Sequence, residues 1–139
     1  MGCFSKHVTL GCISDRKSST LAEWFEAEVI QRRGVPIMVQ SDNGSEWGRN
    51  FMDLLHMYNI ASRKISPRHS KSNGMAERMV RTVKTYLRSY LRTFPAMEYD
   101  NAIGAIAMVI NALHSTTLGE SPFFIENGVE FRLPILTGL

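Results

Sequence analysis

The chain has little sulfur chemistry and no apolar run of membrane length. Its two cysteines, Cys3 and Cys12, are too few for a disulfide framework and belong to neither a Cys-x-x-Cys nor a Cys/His metal pattern. A reducing, intracellular compartment is therefore expected. No stretch approaches the ~18 consecutive apolar residues of a membrane span, and the opening residues lack the apolar core of a secretory signal. MGCFSK matches an N-myristoylation signal only loosely, with Lys6 where Ser or Thr is wanted. A membrane partner is not expected. Internal repeats and low-complexity linkers are also missing. At 139 residues, 44% of them apolar and 21% charged, the chain suits one globular domain with a real core.

Negative charge is nearly missing from one segment. Between Arg63 and Arg92 there are nine basic residues and a single acid, Glu77. The whole chain carries 16 basic and 13 acidic residues, so seven basic and twelve acidic residues remain outside that segment, a net of −5. A solvated helix usually mixes its signs, because opposite charges three or four positions apart support each other. Such a one-sided segment points to a polyanionic partner.

The pattern of elements is α/β. His7 to Ile13 (HVTLGCI) alternates Val8, Leu10 and Cys12 against His7, Thr9 and Gly11, the period of a half-buried strand. Thr20 is placed to cap the helix LAEWFEAEVIQRR, with Glu23 completing a capping box and Gly34 ending it. Ile37 to Gln40 reads as a buried strand running into the turn Ser41-Asp42-Asn43-Gly44. A helix from Phe51 to Tyr58 and a short strand from Ile60 to Ile65 follow, before a break at Pro67. A long basic helix is expected from about Ser72 to Leu91, closed by Phe94-Pro95. The helix from Asp100 to Leu113 is apolar on most sides and so expected inside. Residues 114–139 read as a mostly irregular tail. Alternating strands and helices argue a layered α/β fold.

On the basic helix, Arg81, Lys84, Arg88 and Arg92 fall within roughly 60° of Glu77 at 100° per residue. Ala76, Val80, Val83, Leu87, Tyr90 and Leu91 form a separate apolar stripe for packing. A lone carboxylate among phosphate-binding cations would repel a polyanion unless a metal inverted its sign. Mg²⁺ takes one or two carboxylates together with phosphate oxygens, which suits that arrangement. Asp42, at the C-terminal end of a strand, is the best second carboxylate. Alone, Asp42 reads first as an Asx-turn residue, and Glu77 equally as an acid favoured in a helix's first turn.

VPIMVQSDNGSEW followed by SPRHSKSNGMAER resembles the integrase catalytic core of retroviruses and gypsy-type long-terminal-repeat retrotransposons, a transposable-element enzyme of DNA recombination. Phe4-Ser5-Lys6, Gly34-Val35-Pro36 and the late run Asn111 to Pro134 fit the same pattern in order and spacing. The resemblance implies a ribonuclease H-like fold, with a mixed sheet of order 3-2-1-4-5 flanked by helices. It implies that Asp42 and Glu77 are the second and third acids of an Asp, Asp, Glu triad, catalytic and holding Mg²⁺ or Mn²⁺. It implies that Arg81, Lys84 and Arg88 lie near DNA, and that Asn73 and Gly74 form a flexible loop before the active-site helix. A homodimer, no small-molecule substrate, and the nucleus as workplace if chromosomal DNA is the target are implied too. Ser70-Lys71 stands where the family has Pro-Gln, and Trp47 where it has Phe, neither expected to touch the metal chemistry.

The family's first acid lies upstream of Phe-Ser-Lys, and only three residues precede Phe4 here. Asp15 is expected in a turn and cannot replace it. The expectation is therefore an incomplete, N-terminally truncated core, lacking the first strand and most of the second, with weakened metal binding. Integration chemistry, a non-catalytic DNA-binding remnant and a protein-interaction relic all remain open from the sequence.

Overall fold

The computed structural model describes residues 1–65 and 71–132, with the backbone alone for 71–73. The Pro67 break and the Ser70 substitution lie outside the described residues, as does the end of the tail. The chain groups into two compact units, Ile13–Met75 and Met1–Cys12 with Ala76–Leu139.

In the Ile13–Met75 unit, α1 (Ser18–Phe25) runs into a π-helical segment (Glu26–Ile30) and a closing turn, α2 (Gln31–Arg33), which stops at Gly34 with φ +88°. The positive φ is the reason glycine ends it. Thr20 does not cap this helix. The helix starts earlier, at Ser18, with Thr20 inside its first turn; Asp15 Oδ1, in the preceding turn, accepts from the Lys17 N–H at 2.9 Å and from the Thr20 hydroxyl at 2.7 Å. No side chain caps the first turn of α1, so the expected Thr20–Glu23 capping box is not formed.

The α1 face packs on α3 (Arg49–Met57) around a core of Ala22, Ile30, Phe51, Leu54, Leu55 and Ile60. The Ser18 hydroxyl accepts from the Phe51 N–H at 2.9 Å, so a residue of α1 caps the first turn of α3. Gly48 precedes that turn, where a Cβ would meet the Ser45 carbonyl at 3.1 Å and Ser18 Cβ at 3.3 Å. Tyr58, just after α3, donates its hydroxyl to Glu26 Oε1 at 2.5 Å, tying the π-helical segment to the end of α3.

Two strands complete this unit. β1 (Met38–Ser41) and β2 (Ala61–Lys64) pair in parallel, with Met38 opposite Ala61 and Ser41 opposite Lys64. Contrary to expectation β1 is not buried: Ile37, just before it, is 90% exposed and Met38 48%. Among the described residues the sheet has only these two strands. With so few neighbours, a short apolar run stays half-open to water.

In the other unit the expected strand at His7–Ile13 does not form. Burial does not follow the expected alternation, since His7 and Val8 are both buried and Cys12 is exposed, and no ladder flanks the segment among the described residues. The Val8 backbone instead pairs with the side chain of Asn111, which accepts from the Val8 N–H at 2.8 Å and donates to the Val8 carbonyl at 2.9 Å. One amide side chain thus supplies what a neighbouring strand would.

The long basic helix, α4 (Lys71–Thr93), forms as expected and slightly beyond both ends. Its partly covered line runs through Met75, Met79, Val83, Leu87 and Tyr90, while Ala76 and Val80 are exposed. The covered side therefore lies roughly opposite Glu77. α5 (Tyr99–Ala112) buries only Ala102, Ile106 and Asn111, so it is half-exposed rather than internal. It packs on α6 (Pro122–Asn127), a short helix inside the supposedly irregular tail. Ser121 caps α6 by accepting from the Phe124 N–H at 3.1 Å, Pro122 opens it, and Gly128 closes it with φ +70°. The overall class is a helix-rich α/β fold with a small sheet.

Candidate nucleic-acid and metal site

Asp42 follows β1 directly and is exposed. Its Oδ1 accepts from the Gly44 N–H at 3.0 Å, which makes the turn an Asx turn, as the residue's bland reading required. The same oxygen accepts from the Trp47 indole Nε1–H at 2.7 Å. Trp47 closes a 3₁₀ turn (Ser45–Trp47), and its ring stands edge-on to Phe51 with centroids 5.0 Å apart. Phe51 is 1% exposed and meets Phe25 edge-on at 5.2 Å. Asp42 is thus tied through the indole to the core of its unit. Trp47, expected not to touch the metal chemistry directly, is hydrogen-bonded to one of the two candidate acids. The sequence signal that could have shown it is the change from Phe to Trp, which adds a donor five residues after an aspartate.

Asp42 Oδ2 receives no hydrogen bond among the described residues. A carboxylate with one oxygen fixed and the other open is a fitting ligand for a hard, oxygen-seeking cation. Neighbouring Glu46 pairs with Arg16 at 3.3 Å instead. Asp15 is engaged with Lys17 and Thr20 in its turn, as expected. The Thr20 hydroxyl first, and the Lys17 N–H after it, hold its carboxyl below the usual carboxylate value. Among the described residues no group of three or more His, Cys, Asp or Glu could hold a metal, so any ligand set here is the one-or-two-carboxylate kind.

Glu77, in the second turn of α4, is exposed and belongs to the unit formed by Met1–Cys12 and Ala76–Leu139, whereas Asp42 belongs to Ile13–Met75. Arg81, Lys84, Arg88 and Arg92 are exposed along the same helix face. No ion pair engages these four among the described residues, so their charge is available to a partner. Asn73 and Gly74 lie in the first turn of α4 rather than in a loop, and the Asn73 side chain is outside the described residues. A Cβ built on Gly74 meets nothing within 4 Å. No packing requirement of the described fold explains a glycine there.

No family model matches the chain. It is 29% identical over 114 residues to the Gag-Pro-Pol polyprotein of human T-cell leukemia virus 2, covering 80% of this chain and 8% of that protein. It is 25% identical over 133 residues to a transposon-derived protein of Caenorhabditis elegans, covering 95% of this chain and 46% of that one. The chain therefore spans less than half the length of these curated relatives. Among solved structures, the HTLV-2 integrase catalytic core domain in complex with magnesium superposes with a TM-score of 0.74 at 25% identity, covering 90% of this chain and 80% of that one. The integrase catalytic core of BIV gives 0.73 at 23%, over 88% and 78% of the two chains. A simian T-cell lymphotropic virus intasome structure gives 0.81 at 23%, over 94% and 47%. The chain has the ribonuclease H-like fold of retroviral integrase catalytic cores and resembles that family in sequence along most of its length.

Proposed function

We propose that the chain binds DNA through the cationic face of α4 and is an integrase-type core for phosphodiester chemistry, with Asp42 and Glu77 as carboxylate ligands of Mg²⁺ or Mn²⁺. The observation that carries the reading is the grouping of Arg81, Lys84, Arg88 and Arg92 as exposed cations on the helix face that also bears Glu77. Cations so placed neutralise backbone phosphates and release condensed counterions, with little dependence on base sequence. The likeness to an integrase core solved with magnesium supports the metal.

When bound, a divalent cation would polarise a phosphodiester oxygen and make water or a 3′-hydroxyl a better nucleophile. This chain's residues have narrower tasks. Asp42 offers Oδ2 while the Gly44 N–H and the Trp47 indole fix Oδ1. Glu77 offers a second carboxylate, and the α4 cations hold the DNA backbone. Asn73 and Gly74, at the start of α4, are proposed to border the DNA end. Homodimer formation is proposed on the dimeric and trimeric forms in which the HTLV-2 core has been solved.

The test is a pair of measurements on duplex DNA. Affinity should fall steeply from 50 to 200 mM salt, and Arg81→Ala should reduce the slope of log K against log[salt] by about 1. An affinity insensitive to salt would overturn DNA binding by this face. In a strand-transfer assay with Mn²⁺, any product that the native chain forms should vanish with Glu77→Ala. Product that survives that change removes Glu77 from the chemistry. DNA binding with no metal-dependent product identifies the chain as a binding module only.

A further inference from the structure

We infer that Trp47 is a positioning residue: its indole N–H holds Oδ1 of Asp42 and thereby aims Oδ2 at the cation. The inference rests on the reading of Asp42 as a metal ligand. Asp42 is exposed, on a turn after a two-stranded sheet, where an aspartate side chain would otherwise sample several rotamers. Two donors converge on one of its oxygens, the Gly44 N–H at 3.0 Å and the Trp47 indole at 2.7 Å. The Gly44 bond is the ordinary Asx-turn contact and is available to any aspartate in this turn. The indole bond is different, because it comes from a side chain locked by aromatic packing. Trp47 stands edge-on to Phe51 at 5.0 Å and 80°, and Phe51 is one of the largest fully buried side chains among the described residues.

The bond has a direction. Indole nitrogen only donates, so it can engage the carboxylate as acceptor and never competes with it for a cation. Donation to one oxygen leaves the other for the metal, the arrangement by which outer groups orient metal-binding carboxylates. Phenylalanine at position 47 would keep the aromatic contact with Phe51 and lose the donor. Among the described residues, Asp42 would then be held by the Gly44 N–H alone.

The experiment uses the full chain labelled with ¹⁵N at the two indoles, with the Trp24 signal assigned by Trp24→Phe. Without metal, Asp42→Ala should shift the Trp47 indole N–H resonance and speed its exchange with solvent; an unchanged signal means the bond does not exist in solution and overturns the inference. Mg²⁺ is then titrated, with calorimetry for affinity and the indole resonance as reporter. The native chain should bind, Asp42→Ala should lose that binding, and Trp47→Phe should weaken it about tenfold while the chain stays folded. If Trp47→Phe binds as tightly as the native chain, Trp47 does not position the ligand, although Asp42 remains one. If native and Asp42→Ala chains bind alike, Asp42 is not a ligand and the underlying reading falls, with the indole bond left as turn structure. Should Trp47→Phe fail to fold, the native chain decides alone: Asp42-dependent Mg²⁺ binding must move the Trp47 indole signal, and a stationary signal overturns the inference.

Discussion

Asn111 shows how one side chain can stand in for an element. It is 6% exposed, and its amide both donates to and accepts from the Val8 backbone. Asn111→Leu would keep the volume and strand both backbone groups. Each buried, unmatched group costs about 1–3 kcal/mol, so the variant should melt lower and lose hydrogen-exchange protection at the Val8 amide. Protection at Val8 that survives the change would mean the bidentate pair is not what holds residues 1–12. Asp15 is a second case. Its carboxyl is held below its ordinary value, chiefly by the Thr20 hydroxyl and then by the Lys17 N–H. A depressed folded-state pKa adds stability at pH values above the unfolded value of about 3.9, and that contribution disappears as pH falls through the lower folded value. Asp15→Asn should therefore flatten the acid limb of a plot of melting temperature against pH, and leave unchanged the limb above pH 8. An acid limb identical to that of the native chain would deny Asp15 this role.

Elements long enough to show their own period are legible in the sequence, whereas the presence of a ladder for a lone strand, and a helix too short to show a period, are not. α3 and α4 carry their periodicity within themselves, and both form close to the expected bounds. β1 and β2 read as short runs bounded by turn signals, and both form because each finds the other. His7–Ile13 has strand periodicity, yet a strand also requires a ladder, and alternation alone cannot say whether one is present. α6 was missed for the opposite reason: Ser121-Pro122 and Asn127-Gly128 are clear start and stop signals, but the six residues between them are too few to show a period. Asp42 and Glu77 are proposed as ligands from their place in the sequence pattern, whereas the Trp47 bond depends on how a 3₁₀ turn aims a ring. Gly74 tests whether the first turn of α4 is shaped for function. Glycine within a helix is about 1 kcal/mol worse than alanine, and a Cβ here meets nothing. Gly74→Ala should raise the melting temperature slightly. If the bare backbone serves close approach of DNA, the same change should weaken DNA binding; a variant that gains stability with unchanged affinity would show that the glycine has no such use.

At the scale of the molecule the charge distribution makes two opposite demands. The basic segment from Arg63 to Arg92 would attract a polyanion such as the proposed DNA partner, while the rest of the chain, with its excess of acids, and the two candidate ligands would repel it. A carboxylate next to a phosphate is unfavourable by up to about 1 kcal/mol in water, roughly fivefold in affinity. In the presence of a chelator, Glu77→Gln should therefore bind duplex DNA more tightly than the native chain does. Mg²⁺ added at matched ionic strength should reverse that order, because the carboxylates of the native chain then bind DNA through the cation, while the glutamine contributes no charge to hold it. The reversal separates a ligand from an ordinary surface acid, which would give the first effect and not the second. It is also separable from general screening, since Na⁺ at the same ionic strength should weaken both proteins alike. If Mg²⁺ shifts native and Glu77→Gln affinities by the same factor, Glu77 acts only as a solvated charge on α4, and the cationic face binds DNA without it.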